Sequence, residues 1–194
     1  MGRTSGIPAV ALAALLGVCG VTGLTGCASA SGGRAVSVAA TYAIPYNLTD
    51  VLFSREMILH YRQAITMARL VPGRSRDPFV RGLADRIVKE EGAQIDVLAG
   101  SLRTWEFSVP DSGNPPVHQM EGMLSPARLL LLKGRSGAEF DRLWLTTLAR
   151  HTDYGVRLAE KAGAEGKDAR TVRLARATAT AQKALLAQII QHLS

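Results

Sequence analysis

Cysteine and aromatic residues are scarce in this sequence, which has two cysteines and 5% aromatic residues among 194. Two cysteines exclude a disulfide framework and a four-thiolate metal site. The motifs of serine hydrolases, phosphate-binding loops and zinc proteases are also missing, and no nucleophile–base pair is visible. We therefore predict a protein that is not an enzyme.

Patterns typical of strands and of nucleic-acid-binding modules are lacking as well. No segment alternates polar and apolar residues over a strand's length. The net charge of +7 and the pI of about 9.9 are not accompanied by a basic patch with interleaved aromatic residues. We predict no nucleic-acid partner, whereas anionic lipid or an acidic polymer suits a basic surface.

The first 27 residues carry the most specific signal in the chain. Arg3 precedes an apolar run of small residues that ends near Val21, which is short for a membrane span of about 20 residues. The segment Leu24-Thr-Gly-Cys27 resembles the bacterial lipoprotein signal, in which the cysteine thiol is acylated and becomes the first residue after cleavage. The alternative is an ordinary secretory leader with a chance cysteine, and Cys19 is a poorer lipidation site.

This signal predicts the organisation of the chain and its location. Residues 1–26 are predicted to be a lipoprotein signal peptide, residues 27–46 a flexible tether rich in small residues, and residues 47–194 the folded domain. We expect a protein anchored through lipid on Cys27 to the outer face of the cytoplasmic membrane.

Helical periodicity dominates the folded domain. Capping residues, Pro-Gly breaks and apolar spacing predict main helices near residues 48–70, 78–104, 138–162 and 169–193, with a short helix ending near Lys133. Ser136 and Glu139 have the spacing of a capping box before the third main helix. Residues 108–124 form a long Pro/Gly-rich crossover, a length that suggests a function.

The two halves of the domain resemble each other. The matched positions lie 91 residues apart and pair an acid, an aromatic residue, a histidine and an alanine: Asp50 with Asp141, Phe53 with Trp144, His60 with His151, and Ala68 with Ala159. This internal repeat predicts an all-α four-helix bundle made of two related hairpins that a long crossover joins.

Methionine and histidine form the candidate metal ligands. Met57, His60 and Met67 fall on one stripe of the first helix. The repeat and the crossover contribute the remaining candidates, His151, His118, Met120 and Met123. Thioethers and imidazoles without thiolate suit copper, especially Cu(I). The alternative interpretation is that these residues pack the core, because methionine commonly fills it.

A di-iron site is not supported by the same positions. Such sites need Glu-x-x-His on paired helices, but Met57 and Leu148 stand where glutamate is required. Scattered histidines also argue against zinc.

The chain from about Asn47 to His192 resembles the domain of unknown function 305 family. The resemblance depends on the order acid, aromatic, Met-Ile-x-His, Ala and Met-Ala in the first half, on Met120-Glu-Gly-Met123, and on Phe140-Asp141. It implies a ferritin-like helical bundle, a glutamine position in each hairpin that is occupied here by Glu91 and Gln182, and copper binding as in some family members. The sequence departs from the family pattern at Tyr61, Thr152, Leu148 and Leu158.

Two functions remain open from the sequence. The first is copper storage or detoxification, with Met57, His60 and Met67 as primary ligands and His118, Met120 and Met123 closing the site. The second is a non-metal binding module of the cell envelope that meets a protein or an anionic lipid through its basic helix faces or crossover.

Overall fold

The computed structural model describes residues 43–111 and 120–194, and within these ranges every regular element is a helix. This confirms the predicted all-α bundle. The elements are α1 (Leu48–Ala68), α2 (Pro78–Thr104), α3 (Pro126–Lys133), α4 (Gly137–Glu165) and α5 (Ala169–Leu193). The predicted signal peptide, Cys27 and His118 lie outside the described residues.

The helices form two hairpins. α1 packs along α2, α4 packs along α5, and the hairpins meet mainly where α1 lies against α4. The short helix α3 lies on α4. The two helices at this interface carry the repeated sequence, and the matched histidines His60 and His151 meet there.

Side-chain caps start four of the five helices. Asn47 forms a capping box with Asp50, and Asp77, Ser125 and Asp168 accept bonds from amides in the first turns of α2, α3 and α5. The predicted capping box at Ser136 is wrong, because the Ser136 side chain makes no cap bond. The Gly137 amide donates instead to the Arg74 carbonyl at 2.7 Å. Glu139 forms an ion pair with Arg135, with 3.7 Å between Oε2 and Nε.

Helix α4 is longer than its sequence predicts, because it continues through Gly163 to Glu165. A Cβ at Gly163 would lie 2.9 Å from Cγ of Arg176, and the Arg176 Nε donates to the Gly163 carbonyl at 3.0 Å. Glycine therefore serves close contact between α4 and α5 here, rather than ending the helix.

The core has two parts. The Phe53 cluster lies between the start of α1 and the end of α2 and includes Met57 and Tyr61. The Trp144 cluster lies at the other end of α1 and includes Met67 and Phe140. Both clusters and the residues packed against them lie within residues 46–189, and residues 42–194 form a compact unit. This segment therefore contains the whole described core.

Asp50 fastens the start of α1 to the α4–α5 loop. Its Oδ2 accepts backbone N–H bonds from Asn47, Lys167 and Asp168 at 2.9, 2.9 and 3.0 Å. The carboxylate is fully buried. None of the described helices has the length and apolarity of a membrane span.

Candidate functional site

The two methionines of α1 lie in different parts of the core. Met57 belongs to the Phe53 cluster and Met67 to the Trp144 cluster, and both are 0% exposed. Ten residues of helix separate their Cα atoms by about 15 Å along the axis. Two thioether side chains cannot span this distance to one ion, so Met67 does not join Met57 and His60 in a single site.

His60 and His151 form a stacked pair at the centre of the bundle. Their ring centroids are 3.7 Å apart, with an angle of 10° between the planes. Each residue donates to the other's backbone: His60 Nε2–H to the His151 carbonyl at 2.8 Å, and His151 Nε2–H to the His60 carbonyl at 3.1 Å. The tautomers follow from the network, because a carbonyl can only accept. The repeat thus becomes a reciprocal hydrogen bond across the α1–α4 interface.

The histidine pair is neutral at physiological pH. Both residues are 1% exposed. Burial lowers the pKa of His151 to about 4, and burial together with the neighbouring His151 holds the pKa of His60 well below its ordinary value. If both rings took up a proton, two positive charges would lie face to face away from water. The pair therefore acts as a structural bond between the hairpins.

Space for the His60 ring comes from a glycine that sequence reasoning did not single out as functional. A Cβ at Gly155 would lie 2.7 Å from Cε1 of His60 and 2.3 Å from Oε1 of Gln182. Gly155 lies in the interior of α4, where glycine costs helix stability, which is a sequence signal of close packing. His60 Nδ1 and Gln182 Oε1 are buried without a hydrogen-bond partner among the described residues.

The crossover turn, residues 120–124, contacts both hairpins. Gln63 of α1 donates from Nε2 to the Leu124 carbonyl at 3.1 Å and accepts from the Leu124 amide at 2.6 Å. On the α4 side, Glu121 pairs with Arg157, and the unprotonated Nδ1 of His151 lies 3.3 Å from the Gly122 carbonyl without a hydrogen bond. Gln63 is a second positioning residue that the sequence did not reveal, because its partner is 61 residues away.

The turn itself places two methionines at its first and last positions. The Met123 amide donates to the Met120 carbonyl at 3.3 Å, and Gly122 has the positive φ of +74° that such a turn needs at its third position. A Cβ on Gly122 would lie 2.4 Å from Cβ of Tyr154. Met120 is buried and Met123 half-buried. The Met-x-Gly-Met motif therefore shapes a fixed turn that contacts α4.

The structure thus gathers part of the predicted ligand set. It brings His60, His151 and the crossover turn together and leaves Met67 in the other part of the core. No group of three or more His, Cys, Asp or Glu side chains in residues 43–111 and 120–194 is arranged to hold a metal ion. Methionine thioethers, such as those of the turn, are neutral, soft donors of the kind that suits Cu(I).

A family model covers most of the domain. Residues 50–193 match the family described as "Domain of unknown function (DUF305)". No curated protein sequence matches the chain significantly.

Solved structures share the fold. A DUF305 protein from Streptomyces coelicolor is 27% identical with a TM-score of 0.67, and the match covers 73% of this chain and 89% of that one. A DUF305 fragment from Deinococcus radiodurans is 24% identical with a TM-score of 0.67, over 77% and 98% of the two chains. CopM in its Cu(I)-bound form is 21% identical with a TM-score of 0.62, over 75% and 95%. CopM has also been solved with Cu(II) and with silver bound.

Proposed function

The chain belongs to the DUF305 family, and from this premise we propose that it is a non-catalytic envelope protein that binds a soft monovalent metal ion, Cu(I) or Ag(I), on its crossover. The ligands are Met120 and Met123, with His118 of the same segment as the third. The CopM structures with copper and silver support metal binding on this fold. In this proposal the buried residues of the predicted ligand set stabilise the fold and do not bind the metal: Met57, His60, Met67 and His151.

The observation that carries this proposal is the attachment of the crossover turn to both hairpins. Gln63 of α1 hydrogen-bonds to Leu124, and on the α4 side Gly122 packs closely against Tyr154 while Glu121 pairs with Arg157. Met120 and Met123 flank the attached residues, so their thioethers are carried on a backbone that is already positioned. Pre-positioned donors lose less conformational freedom when they close on an ion.

Charge near the turn favours a monovalent ion. Arg128 and Arg150 line the same surface cavity as Met123, and neutral thioethers offer no negative charge to offset them. Repulsion from two guanidinium groups is twice as large for Cu(II) as for Cu(I) at the same position.

The proposed place of action is the membrane surface, where lipid on Cys27 would hold the domain. The support is the Leu-Thr-Gly-Cys signal of the sequence and the nearly uncharged composition of mostly small residues up to residue 46. A non-catalytic role agrees with the histidine pair, because the Nε2–H of each ring donates to a backbone carbonyl and not to a nucleophile of the described residues.

The proposal is tested by a Cu(I) titration of residues 42–194 under reducing conditions, against a chromophoric Cu(I) chelator. We expect one ion per chain, and we expect the double variant Met120→Leu/Met123→Leu to lose most of its affinity. Met57→Leu/Met67→Leu is the matched control and should bind as the parent does. The proposal fails if the core variant loses binding while the crossover variant keeps it.

A further inference from the structure

A small cavity lies where the crossover turn, the start of α3 and the side of α4 meet. Its volume is about 160 Å³, and Ser125, Arg128, Thr147 and Arg150 contribute its polar wall. No aspartate or glutamate lines it. A phosphate group fits this volume, and the wall offers it donors without a competing negative charge.

The two arginines of this cavity have no partner of their own. Neither guanidinium forms an ion pair or hydrogen bond with another described residue, whereas Arg157 of the same helix as Arg150 pairs with Asp153 and Glu121. Arg128 is half-buried and Arg150 exposed. The fork of a guanidinium matches the oxygens of a phosphate in two-bond geometry.

Thr147 is an independent, unpaired polar group in the wall of the cavity. The residue is 6% exposed, and its Oγ1 is buried without a hydrogen-bond partner among the described residues. The hydroxyl of neighbouring Thr146, by contrast, donates to the Arg142 carbonyl at 2.7 Å. A buried hydroxyl is costly when left unpaired, so an acceptor that enters the cavity would satisfy it.

The start of α3 adds to the attraction for an anion. Ser125 caps this helix, with its Oγ accepting from the Arg128 amide at 3.2 Å. The N-terminal end of a helix carries partial positive charge, and it lies here on the wall that the arginines share.

Exposed leucines on α3 distinguish between the sources of such a phosphate. Leu130 is 70% exposed and Leu131 is 49% exposed. Leu131 follows Arg128 by three residues, so the two lie on neighbouring positions of one helix face. Apolar surface beside the cavity contributes nothing to the binding of a free phosphate. A phospholipid presents its phosphate next to acyl chains, which exposed leucines can contact.

We propose that this cavity binds the phosphate of an anionic phospholipid head group, so that α3 rests on the membrane with Leu130 and Leu131 in the acyl boundary. Arg128, Arg150 and the Thr147 hydroxyl contact the phosphate. The inference goes beyond metal binding and does not depend on it, because the residues that line the cavity are in place without a metal.

The test is co-sedimentation of metal-free residues 42–194 with phosphatidylcholine vesicles, with and without phosphatidylglycerol. We expect binding to the phosphatidylglycerol vesicles, weakened about 25-fold by Arg128→Gln/Arg150→Gln, since each basic residue at a membrane contributes roughly fivefold. Arg170 and Arg173 are exposed on α5. Arg170→Gln/Arg173→Gln is the matched control with the same change in net charge, and it should weaken binding less than about threefold. Equal loss in both variants would show attraction by net charge alone and overturn the site.

Two further variants separate the hydroxyl and the leucines. Thr147→Val keeps the shape of the side chain and should weaken vesicle binding by about threefold or more. Leu131→Ser should weaken vesicle binding but leave the affinity for inorganic phosphate unchanged. If inorganic phosphate displaces the protein from vesicles and Leu131→Ser has no effect, the cavity binds free phosphate and the lipid assignment is wrong. Unchanged circular dichroism of each variant confirms that it is folded.

Discussion

The histidine pair and the crossover turn hold the two kinds of predicted metal ligand, imidazole and thioether, in opposite surroundings. His60 and His151 are shielded from water, stacked on each other and bonded to each other's backbone. The turn is hydrogen-bonded to Gln63 of α1 and contacts α4 through Glu121 and Arg157, while Met123 stays half-exposed. The difference teaches that a methionine–histidine pattern has no fixed meaning until burial and hydrogen bonding are known.

The same contrast separates the methionines. Met57 and Met67 of α1 are surrounded by hydrophobic side chains in two different clusters, whereas Met120 and Met123 flank a glycine turn. Only the latter pair lies within one turn of backbone, and only Met123 among the four is half-exposed. The proposal therefore gives stability to the first pair and ligand binding to the second.

Truncating methionines should give the largest contrast between the two regions. Met57→Ala removes a fully buried side chain and leaves a cavity, so the free energy of unfolding should fall by about 3 kcal/mol. Met123→Ala at the surface should cost less than about 1 kcal/mol. Urea unfolding of residues 42–194, followed by circular dichroism, measures both. Similar losses would mean that the turn is part of the core.

Crowding the histidine pair should destabilise the protein nearly as much. In Gly155→Ala the new methyl group meets His60 and Gln182, and we expect a loss of about 2 kcal/mol in the free energy of unfolding. Gly82→Ala in α2 is the control, because a Cβ there meets nothing within 4 Å, and it should be neutral or stabilising. Chemical denaturation of both variants decides, and equal stability of the two would contradict tight packing at Gly155.

Acid should weaken the histidine pair while leaving the turn in place. Between pH 6.5 and about 4 the unfolded histidines bind protons that the folded His60 and His151 do not, so stability falls as the pH falls through this range. Each residue contributes a slope of up to about 1.4 kcal/mol per pH unit. His151→Gln keeps a donor for the His60 carbonyl and should reduce the slope. Denaturation curves across this pH range measure the free energy of unfolding. If its slope against pH is the same in His151→Gln as in the parent protein, the histidine pair is not neutral in the folded state.

A smaller effect of opposite sign is expected at Glu91, which occupies the position matched to Gln182. Burial, followed by the neighbouring Glu90, holds the pKa of Glu91 well above its ordinary value, and its Oε2 has no described partner. The folded carboxyl keeps its proton while the unfolded one ionises, so it lowers stability as pH rises above about 4.5.

Glu91→Gln should therefore equal the parent protein near pH 4.5 and be about 1 kcal/mol more stable at pH 8. Parallel urea titrations at the two pH values measure the difference. A constant difference between the two proteins at both pH values would show that Glu91 is charged in the folded state.

Much of the fold follows from local sequence signals. Asn47, Asp77 and Asp168 mark helix starts because a cap depends on residues a few positions away. The repeat of His60 at His151 predicts two equivalent helices, and the structure turns that equivalence into a reciprocal bond.

The candidate site was less predictable, for two physical reasons. The spacing of residues in a helix shows that Met57 and Met67 share a face of α1. Sharing a face does not bring them close, because about 15 Å along the helix axis separates the two residues. Gln63 and Gly155 act on partners from distant segments, and no local pattern reports such a partner. Only the unusual glycine inside α4 gave a hint.

The division of labour between core and crossover is tested most directly by NMR of the methionine methyl groups. Residues 42–194 contain four methionines, Met57, Met67, Met120 and Met123, and Ag(I) is a diamagnetic substitute for Cu(I). We predict that titration with Ag(I) shifts the methyl signals of Met120 and Met123 and leaves those of Met57 and Met67 in place. Shifts at Met57 with unmoved signals at Met120 and Met123 would contradict the account and place the metal in the core.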